Sequence, residues 1–199
     1  MRLPLTPLQV RLREKLRARS PSPFPLGGAP NRSGEPPVLA AVAVIVAPGP
    51  ESVLLIRRAE RADDPWSGHM GLPGGRQDPA DPDLLATAMR ETVEEVGYEL
   101  TSEGLLGSLD DVWPRSPAPR LIVVRPFVFA VAERPSVTLS GEVAGAFWVP
   151  IAELSDPAVY HDTVIAHRGL DLIFPAYHLE QGVVWGLTER ILTPLLELL

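Results

Sequence analysis

The chain of 199 residues has no cysteine, which removes disulfides and thiolate metal sites and leaves oxygen or imidazole as the only metal-ligand chemistries. Hard cations are therefore favoured over soft ones. It also lacks any apolar run near the roughly 20 residues of a membrane-spanning helix. The first residues show no charged head followed by an apolar core, so a soluble cytoplasmic protein with no membrane partner is expected. Positive charge is in deficit, with a formal net charge of −7. That balance argues against a broad nucleic-acid footprint while leaving room for a local basic pocket around a small substrate. There is no internal repeat, no Gly-rich Walker loop, no Ser-His-Asp arrangement and no DNA-binding motif. The four histidines (His69, His161, His167 and His178) show no metal-ligand spacing.

What is present divides at about residue 37. Residues 6 to 19 predict a helix capped by Thr6, with Pro7 in its first turn and Leu8, Leu12 and Leu16 on one face. Its other face carries Arg11, Arg13, Lys15, Arg17 and Arg19, read as a solvated surface without a catalytic role. Residues 20 to 37 are crowded with proline and glycine, a composition suited to a linker or surface segment. The expected organisation is thus an N-terminal helix and linker over 1–37 and one catalytic domain over 38–199.

In that second part, Val38 to Ala47 and Ser52 to Arg58 predict a pair of strands around a turn. Further strands are expected at Leu121 to Val131 and Ala146 to Val149, with weaker ones at 163–168 and 170–174, giving a mixed sheet. A last helix is expected from Val184 to Leu199, apolar enough to cover a core or support a homodimer.

The stretch that carries chemistry is Gly71-Leu-Pro-Gly-Gly75, then Asp78, Asp81 and Asp83, then Arg90-Glu-Thr-Val-Glu-Glu-Val-Gly-Tyr98. Pro82 suits a helix start, Asp81 a cap and Gly97 a left-handed end, so one helix is expected from Asp81 to Gly97. On it Glu91, Glu94 and Glu95 are three and four residues apart and cluster on one side. Alone, such carboxylates repel; beside a Pro-Gly-Gly loop that lets backbone approach a ligand closely, they form an oxygen cage for a divalent cation.

Gly75, Asp81 and Arg90 to Tyr98 resemble the Nudix box, with Asp81 in place of the usual glutamate and eight residues rather than seven between it and Arg90. The resemblance implies a Nudix-type α/β/α sandwich with a mixed β-sheet, and Mg2+ or Mn2+ held by the Gly75 carbonyl, Glu91, Glu94 and Glu95. It also implies that Arg90 pairs with a helix carboxylate to fix its rotamer. The base is expected among the box glutamates or at Glu142, which precedes the strand Phe147-Trp-Val-Pro150. Two further segments, Leu54-Leu-Ile-Arg-Arg-Ala59 and Gly68-His-Met-Gly-Leu-Pro-Gly-Gly75, are similar to the signature of the coenzyme A diphosphatase branch. Glu142 to Pro150 and Val184 to Leu192 resemble its later segments.

The reaction this implies is hydrolysis of coenzyme A or a derivative to 4′-phosphopantetheine and adenosine 3′,5′-bisphosphate. ADP-ribose, dinucleoside polyphosphates and nucleoside triphosphates are alternative substrates, and a non-catalytic nucleotide-sensing module is the alternative class. Arg57, Arg58 and Arg61 are candidates for a substrate phosphate, Arg58 foremost because its planar donors stand at a strand end. His69 and Trp66 are weaker candidates for touching substrate, as a loop histidine and a stacking ring.

Overall fold

The computed structural model describes residues 3–24, 35–60, 67–114, 121–167 and 170–199, with side-chain surroundings left aside at 166 and 167 and at 170. Arg61 and Trp66, the acidic pair Asp63 and Asp64, and residues 25–34 of the Pro/Gly-rich segment lie outside the described residues.

In chain order the elements are α1 (Pro7–Arg17), β1 (Val38–Ala47), β2 (Ser52–Arg58), β3 (Met70–Gly71), β4 (Gly74–Arg76) and α2 (Leu84–Val96). There follow β5 (Leu105–Ser108), β6 (Ile122–Ala130), β7 (Val143–Pro150), α3 (Ile151–Leu154), β8 (Tyr160–His167), β9 (Leu170–Leu179), β10 (Gly182–Trp185) and α4 (Leu187–Glu197). The main sheet runs β3-β2-β1-β6-β5, with β4 also pairing β1 and β7 also pairing β2. It is mixed: β1 lies parallel to β6 from Val38↔Ile122 to Val46↔Ala130 and antiparallel to β2 and β4.

Strand alternation sorts β1 and β2 onto two faces. Ala41, Ala43, Ile45, Leu54 and Ile56 pack with Ala88 and Val96 of α2. Val44, Val46, Val53 and Leu55 pack with Leu12 and Leu16 of α1 and with Ile191, Leu192 and Leu195 of α4. A strand covered on both faces reads as a continuous apolar run, which is why Val38–Ala47 shows no polar alternation. The result is the expected α/β/α sandwich.

Several expected boundaries move. The box helix begins at Leu84, not Asp81, and its cap is Asp83, whose Oδ1 accepts the Ala86 N–H at 2.8 Å. Asp81, ahead of the cap, instead anchors Arg90 through both of its oxygens and accepts the Asp78 N–H and the Thr87 hydroxyl. Gly97 does end the helix, at φ 66°. The last helix begins at Leu187, since Gly182–Trp185 is a strand pairing with β9. The two weak strands are longer than expected, and with β10 they form a separate sheet ordered β10-β9-β8. β7 pairs with β2 as far back as Val143, opposite Arg58, so its start precedes the expected Ala146.

α1 is more than a solvated appendage. Thr6 and Gln9 form a reciprocal cap. The buried Gln9 amide then donates to the carbonyls of Val46, at 3.0 Å, and Val131, at 3.1 Å, so one side chain closes two strand ends.

Candidate active site

Three elements meet at the box. β4 lays Gly74 and Gly75 against β1, with Gly75 opposite Ala41 and Gly74 opposite Val42. α2 crosses this pair with its Glu91–Glu95 face toward it. Glycine is required at Gly74, where the backbone of β1 lies in the way, and at Gly75 it makes room for the Glu91 carboxylate. A side-chain carbon on Gly75 would overlap the Glu91 carboxylate, and one on Gly74 would meet Val42 Cα at 2.6 Å.

Glu95 is buried, at 4% exposure, and its Oε2 accepts the Gly74 N–H at 2.9 Å. Burial pushes its carboxyl up to about 7; the nearby charges of Glu91 and Glu142 push the same way, against the Gly74 bond and the Arg58 charge. Glu91 is also raised, first by burial, then by Glu94 and Glu142. Glu94 is more exposed, with 55% of its side chain open.

Arg90 organises this face. Its Nε and Nη2 hold Asp81 at 3.0 and 2.9 Å, Nη1 reaches Glu91 at 2.9 Å and Glu94 at 2.8 Å, and Nη2 also donates to the Arg76 carbonyl at 3.1 Å. The guanidinium beside Asp81 holds that carboxyl well below the usual carboxylate range, and Thr87 and the Asp78 N–H add to it. Arg90 therefore ties the box helix to the loop before it, through a partner that the spacing of helix carboxylates did not single out.

Glu142 precedes β7, its carbonyl accepts the Ala59 N–H at 2.8 Å, and its charge is felt at both Glu91 and Glu95. Arg58 is felt at Glu95 as well. The fold thus brings together Gly75, Arg90, Glu91, Glu94, Glu95, Glu142 and Arg58.

It separates Arg57 from them. Strand alternation points Arg57 away from α2; its Nη2 donates to the Gln181 carbonyl and its guanidinium lies 5.4 Å from the Phe147 ring centroid. His69 is intermediate: its carbonyl accepts the Arg58 N–H at 3.0 Å while its ring lies 5.0 Å from that of Trp185. Trp185 also touches Phe174 at 5.2 Å, an aromatic contact across β9 and β10 that no spacing in the sequence announced. His161 and His178, unconnected in the sequence, stack with centroids 3.7 Å apart.

Among the described residues no three Asp, Glu or His side chains already stand together as a metal cluster. Arg90 holds Glu91 and Glu94, and Glu95 is turned to Gly74. The donor set nevertheless fits a hard divalent cation. It is all oxygen, and Glu91 and Glu95, each raised first by burial, are raised further by neighbouring carboxylates, against Arg90 at Glu91 and the Gly74 N–H and Arg58 at Glu95.

A model of the NUDIX domain matches residues 37–168. An uncharacterized Nudix hydrolase of Yersinia pestis, NudL, is 34% identical over 156 residues, covering 77% of this chain and 75% of that protein. An uncharacterized protein of Schizosaccharomyces pombe is 42% identical over 113 residues, 53% of this chain, and the match spans 33% of that protein's length. Among solved structures, a MutT/nudix family protein from Enterococcus faecalis has a TM-score of 0.57 at 17% identity, covering 79% of this chain and 60% of that one. The NUDIX domain of Shewanella oneidensis NrtR, complexed with ADP ribose, has a TM-score of 0.51 at 22% identity over 65% of this chain and 82% of that one. Both share the fold. With the box glycines, the glutamate helix and Arg90 in one constellation, the chain belongs to the Nudix family, whose hydrolases cut diphosphate anhydrides and generally depend on divalent metal ions.

Proposed function

We propose that this chain hydrolyses the diphosphate of coenzyme A or a derivative, with Mg2+ or Mn2+, to 4′-phosphopantetheine and adenosine 3′,5′-bisphosphate. The observation that carries a diphosphate reaction is the convergence of Glu91 and Glu95 on Gly74 and Gly75, with Glu142 and Arg58 within electrostatic reach. The coenzyme A reading is supported by adjacency. β2 pairs with β3 at Ile56↔Gly71 and Arg57↔Met70, so Leu54–Ala59 and Gly68–Gly75 stand side by side beside the box.

In this reading Glu91, Glu94, Glu95 and the Gly75 carbonyl hold the metal. A divalent cation held there would supply charge neutralisation at the phosphoryl group and a lowered pKa of water. Glu142 takes the proton of the attacking water, standing on a separate element from the metal carboxylates. Arg58 contacts substrate phosphate through its planar donors. Arg57 is assigned to fixing the β9–β10 turn through Gln181, and Arg90 to positioning Glu91 and Glu94.

Turnover of coenzyme A, ADP-ribose, diadenosine tetraphosphate and nucleoside triphosphates with Mg2+ or Mn2+, with products identified by mass, tests the reading. Preferential release of 4′-phosphopantetheine supports it. Cleavage of another member moves the specificity within the class, and binding without turnover favours a sensing module.

A further inference from the structure

A cavity of about 570 Å3 opens between the segment after α1, the connection from β5 to β6, the β8–β9 ribbon and α4. None of its described lining residues belongs to the box, to β2 or to the 67–75 loop, so it is separate from the site above. Its volume is in the range of small-molecule pockets, about 300–1,000 Å3.

The charges around it are unequally satisfied. Asp110 pairs with Arg19 at 3.0 Å, and Asp111 takes Arg125 through both oxygens at 2.8 and 2.9 Å. Arg190 donates to the Trp113 carbonyl, with its guanidinium 5.8 Å from that ring's centroid. Among the described residues Glu189 has no such cation. It is 5% exposed, and its Oε1 accepts hydroxyls from Tyr160 at 2.8 Å and Thr193 at 3.0 Å.

Because Thr193 spends its one proton on Glu189, Tyr177, 2.7 Å from Thr193, is the donor to it. Burial and the bond to Glu189 push the Tyr160 hydroxyl up to about 12, which keeps it a donor. A relay of neutral hydroxyls thus converges on one oxygen of a carboxylate with room for about four hydrogen bonds. The other oxygen, Oε2, takes no hydrogen bond among the described residues, and it is not among their buried unpartnered atoms. Glu189 lines the cavity together with Tyr160, Trp113 and Pro194.

We infer that this cavity is a second ligand site, taking a small organic amine whose ammonium group binds Glu189 Oε2 and whose apolar body lies along Trp113, Tyr160 and Pro194. A buried carboxylate whose partners among the described residues are neutral hydroxyls gains from a cationic donor through a charge-assisted bond. The aromatic walls add favourable contact with the cation and with its apolar body. The site is independent of the diphosphate chemistry, so it stands or falls apart from it.

Benzylamine and its neutral isostere benzyl alcohol are the probes, titrated against the full chain by calorimetry. Benzylamine is expected to bind about fivefold more tightly than the alcohol, as a charged donor does over a neutral one. Glu189→Gln is expected to erase that preference, with folding checked by circular dichroism. Ser22→Tyr, at an exposed lining residue, is expected to weaken both probes by obstructing the cavity, and it decides the matter if Glu189→Gln does not fold. Absence of binding, equal binding of the two probes, binding undiminished by Ser22→Tyr, or an amine preference that survives in a folded Glu189→Gln overturns the proposal.

Discussion

Single side chains set the chemistry of the box, and each carries a distinct test. Glu95 is held by Gly74 and has the charges of Glu91 and Glu142 nearby, so the double change Glu94→Gln and Glu95→Gln keeps the packing while removing two of the proposed anionic metal ligands. It is expected to lower kcat by roughly 100-fold or more, the scale of losing metal ligation, with an unchanged far-UV spectrum. Gly75→Ala is expected to reduce turnover by about 10–100-fold, because the new methyl group displaces the Glu91 carboxylate from its place. A melting curve within a few degrees of the parent alongside that loss would place the effect at the site.

Asp81 gives a pH-dependent test. Its folded-state carboxyl is held below its unfolded value by Arg90. The stability it contributes is therefore fully present above about pH 4, near the unfolded value, and is lost as pH falls through the lower folded value. Asp81→Asn is expected to lower stability at neutral pH and to flatten its fall in acid. Thermal melts from pH 7 to pH 2 read both, and a parent-like acid slope in Asp81→Asn would sink the assignment of Asp81 as the Arg90 anchor.

At the scale of elements, α1 and the end of α2 show how one residue decides whether a segment docks. Leu12 and Leu16 give α1 its apolar face, but Gln9 supplies what leucines cannot, partners for the Val46 and Val131 carbonyls inside the core. Gln9→Leu takes the donor from the Val131 carbonyl, while the Val46 carbonyl keeps the Val131 N–H at 3.1 Å, and is expected to cost about 1–3 kcal/mol, seen as a lower denaturant midpoint at constant m value. Gly97 terminates α2 at φ 66°, and a side chain there would meet Thr138 Cβ at 3.0 Å. The four-residue spacing of Leu8, Leu12 and Leu16 in α1 was visible in the sequence, and so was Gly97 as a helix end. The pairing of a lone glutamine with strands 37 and 122 residues away was not, because hydrogen bonds of that range leave no local pattern.

On the scale of the whole molecule, α4 places its apolar Ile191, Leu192 and Leu195 in the chain's own core rather than at a surface. The same helix contributes Glu189 to the separate cavity. Among the described residues no helix is long and apolar enough to cross a membrane. Chelation by EDTA is expected to abolish turnover, with recovery on adding excess Mg2+ or Mn2+. Either ion should also raise the melting temperature of the chelated protein, since a ligand bound only by the folded state stabilises it. Turnover that persists at full rate after exhaustive chelation would count against a metal-held site.

The sequence by itself determined the box, its helix and the strand pair before it. Each depends on short-range signals: carboxylates three and four apart, a glycine that must turn left-handed, and apolar runs bounded by turn residues. Tertiary structure alone decided that Arg58 and Glu142 stand near Glu95 while Arg57 turns away, that Asp81 serves Arg90 instead of capping a helix, and that Glu189 meets two hydroxyls at a cavity wall. These outcomes depend on which face a strand presents and which distant segment covers it, and neighbouring residues with equal charge, such as Arg57 and Arg58, carry no local mark of that choice.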